Sequence, residues 1–77
     1  MANGGYTIAA GLALKALIKK NYASQQAFAE DFGIDLRTVN RYVSSGIGKV
    51  ITQEEIADFF GMDLLEFLSL GKQLMLA

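Results

Sequence analysis

The side chains in this sequence best suited to recognise a ligand are two arginines and an asparagine, which follow a glycine in one short segment. Arg37, Asn40 and Arg41 come after Gly33, and their spacing places them on one face of a helix. The fork of an arginine guanidinium fits the hydrogen-bonding edge of guanine, and an asparagine amide fits that of adenine. The pattern therefore indicates a surface that could read base pairs in the major groove of DNA. The alternative interpretation is an ordinary solvated helix face.

The composition excludes several other kinds of site. The 77 residues include no His and no Cys, so zinc sites with these ligands, iron–sulfur clusters, disulfides and Ser-His or Cys-His nucleophilic sites are ruled out. A chain of this length with one core has little room for a deep pocket. We therefore expect a protein that is not an enzyme and that uses neither a cofactor nor a metal.

Hydropathy indicates a soluble, cytoplasmic protein. Apolar residues make up 52% of the chain, which is typical of a folded domain rather than a disordered one. Lys15, Lys19 and Lys20 interrupt the early apolar stretch, so no membrane span is expected. The N-terminal residues also lack the pattern of a signal peptide.

The charges are divided unequally along the chain. Residues 1–50 contain six lysines and arginines against three acids, a net charge of +3, whereas residues 51–77 contain one lysine against five acids, a net charge of −4. The overall charge of −1 therefore hides a basic half that contains the arginines of interest. Such an asymmetry is compatible with nucleic-acid binding by one face of the molecule.

Helical periodicity and capping signals predict an all-α protein with five helices. The predicted spans are 8–20 after Thr7, 25–32 after Ser24, 36–44 after Asp35, 52–60 from a Thr52-x-x-Glu55 capping box, and 63–70 from Asp63-x-x-Glu66. We expect a flexible leader at 1–6, a folded domain at 7–71 and an apolar tail at 72–77. Gly33 is expected to supply a positive φ between the second and third helices.

Two groups of side chains receive structural rather than functional interpretations. Phe28, Phe32, Phe59 and Phe60 are expected on inner helix faces, as core rather than as a platform for stacking bases. Glu54, Glu55 and Asp58 are expected in an early turn of the fourth helix, where acids complement the helix dipole.

Several motifs together resemble those of one family. They are Leu-x-x-Leu at 14–17, Ser-Gln-x-x-Phe-Ala-x-x-Phe-Gly-Ile at 24–34 and Ile-Ala-x-x-Phe-Gly-Met-x-x-x-x-Phe at 56–67. In this order they resemble the phage-repressor and Cro-like helix-turn-helix family, also called lambda-repressor-like or XRE-type. The resemblance covers residues 14–68 and implies a five-helix DNA-binding domain with a central helix-turn-helix.

The resemblance also implies roles for individual residues. The implied DNA-binding set is Gln25, Gln26, Leu36, Arg37, Thr38, Asn40, Arg41 and Lys49. Gln25 would contact a phosphate at the start of the second helix, and Leu36 would pack on a thymine methyl group. Arg37 and Arg41 would read guanine or hold phosphate. Lys49, with the amides near Gly46 and Gly48, would reach phosphates beyond the recognition helix.

The sequence departs from the family pattern at two points. Family members often carry a buried Arg–Glu pair where this chain has Ile18 and Val43. Replacing both partners by apolar residues is tolerated far better than losing one charge, so the joint change supports the alignment. The loop after the third helix is usually basic but here contributes only Lys49, so we expect binding to depend on dimerisation and on salt.

The C-terminal region has more apolar side chains than one short helix buries. They are Leu64, Leu65, Phe67, Leu68, Leu70, Leu74, Met75 and Leu76. We expect a homodimer through the last helix and tail, with another protein or a continuing segment as the competing occupant. The expected function is sequence-specific binding of double-stranded DNA by a repressor-like regulator. The alternative is a protein-interaction module on the same fold, such as a repressor antagonist, without DNA binding.

Overall fold

Five α-helices joined by short connections form the described part of the chain, which in a computed structural model comprises residues 3–76, with side chains from residue 6 onward. The helices are α1 (Asn3–Asn21), α2 (Gln25–Phe32), α3 (Leu36–Ser45), α4 (Val50–Phe59) and α5 (Leu64–Leu76). No strand occurs within residues 3–76. The predicted all-α class is therefore confirmed.

Helix α1 begins earlier than the sequence predicts. It starts at Asn3, so Thr7 is an internal residue and not an N-cap, and residues 3–6 of the expected leader are helical. Residues 1 and 2 of that leader lie outside the described part. The carbonyl of Thr7 accepts a hydrogen bond from the Ile47 amide at 3.1 Å. Tertiary contacts of this kind stabilise a helical segment that its own glycines disfavour.

The connection between α2 and α3 has the geometry that the sequence predicts. Ser24 has an extended backbone, and its hydroxyl oxygen accepts a hydrogen bond from the Ala27 amide at 3.0 Å, which caps α2. Gly33 has a φ of 92°, and its amide donates to the Ala29 carbonyl at 2.9 Å. Because glycine has no Cβ, it adopts this left-handed conformation readily. The chain therefore turns within three residues, and α3 begins at Leu36.

Helix α1 packs very closely against α5 and the end of α3. A Cβ on Gly71 of α5 would overlap the carbonyl oxygen of Ala9, and a Cβ on Gly11 would lie 2.5 Å from the carbonyl oxygen of Tyr42. Gly11 therefore serves a close backbone contact. The largest fully buried side chains come from all five helices and the loop before α4; they are Phe28, Phe67, Leu14, Ile47, Ile56 and Val39.

Helix α4 begins at Val50, with Lys49 as its N-cap, so the expected capping box at Thr52 does not form. The buried positions of this helix are Gln53, Ile56 and Ala57. The Gln53 amide donates to the Lys49 carbonyl at 3.0 Å, so helical hydrogen bonding is established before Thr52.

Helix α5 begins with the predicted reciprocal capping box. The Asp63 amide donates to Oε1 of Glu66 at 3.1 Å, and the Glu66 amide donates to Oδ1 of Asp63 at 2.8 Å. The helix then continues to Leu76, so residues 72–76 of the expected tail are helical, and residue 77 lies outside the described part. Gly71 does not end the helix because it is buried against α1.

Four aromatic side chains surround the buried Phe28. The ring centroids of Tyr22, Phe32, Phe59 and Phe60 lie 5.3–5.8 Å from that of Phe28. Phe59 is nevertheless 41% exposed, so the expectation that it is a core residue is wrong. The buried stripe of α4 places Phe59 at the border of the core.

Ile18 and Val43, which stand where the helix-turn-helix family often carries an ion pair, both pack in the apolar core. Ile18 is 3% exposed, and Val43 packs against the buried cluster that contains Ile18. A single charge at either position would lack a partner in apolar surroundings, which is costly.

Candidate nucleic-acid interface

Helix α3 presents a polar face to solvent. Arg37, Asn40 and Arg41 are exposed, whereas Val39 on the opposite side is fully buried. The guanidinium carbon of Arg41 lies 5.6 Å from the centroid of the Tyr42 ring, a distance typical of a cation–π contact. Arg37, Asn40 and Arg41 therefore share an accessible face of α3.

Two further predicted residues flank this face and are partly buried. Leu36 is half-buried at the first position of α3, and Thr38 is half-buried one residue beyond Arg37. The Thr38 hydroxyl donates a hydrogen bond to the carboxylate of Asp35. This hydrogen bond lowers the pKa of the Asp35 carboxyl. Thr38 therefore orders the start of α3, and its hydroxyl is already engaged.

Asp35 occupies the predicted N-cap position but does not cap the helix with its side chain. Its backbone is extended, with φ −83° and ψ 156°, and its carboxylate makes no capping hydrogen bond to a backbone amide of α3. The carboxylate instead accepts the hydrogen bond from the Thr38 hydroxyl.

The start of α2 carries the two predicted glutamines in different environments. Gln25 is half-buried, and its Oε1 atom is buried without a hydrogen-bond partner. Gln26 is exposed, and its Nε2 donates to Oε2 of Glu30 at 2.9 Å. The side-chain amide of Gln26 is therefore engaged within α2, whereas the side-chain oxygen of Gln25 is shielded from solvent.

The loop at residues 46–49 is fixed at its second residue. The Ile47 amide donates to the Thr7 carbonyl, and the Ile47 carbonyl accepts a hydrogen bond from Nε2 of Gln53 at 2.7 Å. The Ile47 side chain is 1% exposed. Lys49, two residues later, is exposed and forms the N-cap of α4.

A surface depression of about 400 Å³ connects this loop with α3. It is lined by Thr7, Arg41, Tyr42, Ser45, Gly46, Ile47, Gly48, Lys49 and Thr52. Arg41 and Lys49 thus meet at one concave surface that also contains hydroxyl groups. Thr7, Ser45 and Thr52 were not sequence-predicted site residues, because they come from three separate segments with no common motif.

Helix α4 carries its charges in the order that its dipole disfavours. Lys49 stands at the N-terminus, and no acid lies in the first turn, so the expectation that Glu54, Glu55 and Asp58 complement the dipole there is wrong. That expectation placed the helix start at Thr52, two residues too late. A cation at a helix N-terminus is unfavourable by about 0.3–1 kcal/mol. A bound anion between Lys49 and the helix would offset this cost.

Comparisons with family models, curated proteins and solved structures found no match to this chain. None of the described helices has the length and apolar character needed to cross a membrane.

Proposed function

We propose that this protein binds double-stranded DNA sequence-specifically and regulates transcription, with α3 as the recognition helix of a lambda-repressor-like domain. One observation carries the proposal: Arg37, Asn40 and Arg41 are exposed on the outer face of a helix that follows a glycine turn, while Val39 anchors its inner face. A regulator of this kind would act in the cytoplasm.

The base contacts follow from the chemistry of these side chains. Arg37 and Arg41 have the fork geometry for the O6 and N7 atoms of guanine, and Asn40 has the donor and acceptor for N6 and N7 of adenine. Leu36 at the start of α3 supplies an apolar group for a thymine methyl. Thr38 would act indirectly, because its hydroxyl is bound to Asp35.

The phosphate contacts come from both sides of the recognition helix. On one side, Arg41 and Lys49 line the depression beside the N-terminus of α4. On the other side, Gln25 lies at the N-terminus of α2, where free amides favour an anion. So few cationic contacts give a monomer modest affinity that falls steeply with salt.

A homodimer through α5 and the start of α1 would supply the missing affinity. Leu65 is 75% exposed, Leu76 is 88% exposed and Tyr6 is 48% exposed. These three residues line a depression of about 370 Å³ with Leu68, Ser69, Lys72 and Gln73. Two copies of such a surface can pack symmetrically and place two recognition helices on one pseudo-palindromic site.

Selection from a pool of random DNA duplexes tests the proposed function. The protein is mixed with the pool at low and at moderate salt, and the bound fraction is sequenced over several rounds. We expect one enriched motif with two related halves. Recovery of duplexes without any enriched motif, even at low salt, would argue against sequence-specific binding.

The second candidate function is a protein-interaction module on the same fold. The exposed apolar side chains of α5 favour it, since contiguous apolar surface commonly marks an interface. A stoichiometric protein partner whose binding is unaffected by Arg37→Ala and Arg41→Ala would favour this function over DNA binding.

A further inference from the structure

Gln53 is a polar side chain buried among apolar neighbours. It is 3% exposed, and within residues 6–76 it is the one polar or charged residue in the buried class. Burying an amide is unfavourable unless its hydrogen bonds are satisfied. An apolar side chain of similar size would fill the same space without that cost, so the packing of α4 alone does not explain Gln53.

The hydrogen bond of Gln53 explains its presence. Its Nε2 donates to the carbonyl of Ile47 at 2.7 Å. Ile47 lies in the non-helical loop at residues 46–49, where no helical neighbour satisfies its carbonyl. The Ile47 amide is held by the Thr7 carbonyl of α1 at 3.1 Å, and its side chain is buried. Gln53 therefore completes a set of contacts that restrains the loop at Ile47.

The loop that Gln53 fixes carries candidate phosphate ligands. Lys49 is exposed at the N-cap of α4, and Gly48 is exposed beside it. Both residues line the same depression as Arg41 of the recognition helix. Displacement of Ile47 would move Lys49 relative to α3, because only Gly48 separates Ile47 from Lys49.

We propose that Gln53 is a positioning residue for DNA binding: its hydrogen bond to Ile47 holds Lys49 and the neighbouring loop amides where a DNA phosphate bound beside Arg41 meets them. This inference rests on the proposed function and extends it to a buried residue that touches no DNA. The preorganised loop binds phosphate without first losing conformational entropy.

Two readouts on Gln53→Met test the proposal, since methionine keeps the length and lacks the donor. In the free protein, amide hydrogen exchange at residues 47–50 should accelerate about fivefold relative to the core, as expected for loss of one hydrogen bond. In DNA titrations on a sequence selected by the wild type, the slope of log affinity against log salt should fall by about 0.9, the value for one phosphate. Combining Gln53→Met with Lys49→Ala should give no further fall in that slope.

Ile56→Val is the matched control, because it weakens the buried stripe of α4 without removing the loop hydrogen bond. It should leave both the salt slope and the relative exchange of the loop unchanged. Either unchanged loop exchange or a wild-type salt slope in Gln53→Met would overturn the proposal while leaving the proposed function intact. A wild-type protein that binds no DNA would instead overturn the proposed function, and with it the role of Gln53 in phosphate binding.

Discussion

The hydrogen bond from Thr38 to Asp35 gives the start of α3 a defined dependence on pH. Because this hydrogen bond lowers the pKa of Asp35, the Asp35 carboxyl group binds a proton less readily in the folded protein than in the unfolded chain. Its contribution to the free energy of unfolding is complete above the ordinary pKa of 3.8 and is lost as the pH falls through the lower folded value. Thr38→Val should therefore raise the pKa of Asp35 towards 3.8 and weaken this pH dependence. NMR titration of the Asp35 carboxyl between about pH 2 and pH 6 measures both values.

Thr52→Val is the matched control for this titration, because Thr52 is also half-buried but has no contact with Asp35 among the hydrogen bonds described. It should leave the pKa of Asp35 where it is in the wild type. An unchanged pKa in Thr38→Val would mean that the hydroxyl is not its cause.

The same pair of residues marks a limit of prediction at the residue scale. The sequence identifies Asp35 as an N-cap and Thr38 as a member of the DNA-binding set, from their positions in the motif. In the structure the two side chains bind each other. Several short-range hydrogen bonds are open to such residues at a helix start, and spacing alone does not decide between them.

At the scale of helices, two glycine-to-alanine substitutions test the packing of α1 on α5 and the turn between α2 and α3 separately. Gly71→Ala should lower the free energy of unfolding by about 2–3 kcal/mol, because the new Cβ overlaps the Ala9 carbonyl and forces α1 and α5 apart. Gly33→Ala should cost about 1–2 kcal/mol from its φ of 92° alone, since no atom lies within 4 Å of the added Cβ. Chemical denaturation of each variant gives these values.

Gly48→Ala is the control for this series, because its Cβ would meet nothing within 4 Å and its φ is not positive. It should change the free energy of unfolding by no more than about 0.5 kcal/mol. If Gly71→Ala proved as harmless as Gly48→Ala, the close approach of α5 to α1 would be wrong.

The accuracy of sequence prediction for each helix depends on where its stabilising contacts lie. The α2–turn–α3 unit is predicted well because Ser24 and Gly33 act on backbone within a few residues of themselves. The beginnings of α1 and α4 are predicted too late. Thr7 and Gln53 both form hydrogen bonds with Ile47, which lies outside these helices, and a capping pattern does not detect such contacts. The exposed face of α3 follows from periodicity, whereas the depression beside it requires the tertiary fold.

At the scale of the whole molecule, the exposed face of α5 predicts self-association. We expect the wild type to be a dimer in light scattering or sedimentation, and Leu65→Glu to be a monomer. Leu65 is 75% exposed, so the substitution should leave the stability of the monomer within about 0.5 kcal/mol. A charge buried without a partner in the dimer would be strongly unfavourable.

Ile51→Glu is the corresponding control, because Ile51 is 64% exposed on α4 and lies outside the depression that contains Leu65. It should retain the mass of the wild type. A wild-type monomer, or a dimer that Leu65→Glu does not dissociate, would contradict association through this face.

The affinity of Arg37→Ala and Arg41→Ala for a DNA sequence selected by the wild type is the most direct test of α3 as the recognition helix. Each variant should lose about 1–3 kcal/mol of binding free energy at constant salt and relax the preference at the base that its arginine reads. Lys15→Ala, which removes an exposed cation from α1, should bind within about 0.5 kcal/mol of the wild type, because few exposed charges away from an interface affect it. Wild-type affinity and sequence preference in both arginine variants would contradict the assignment of α3 to the major groove.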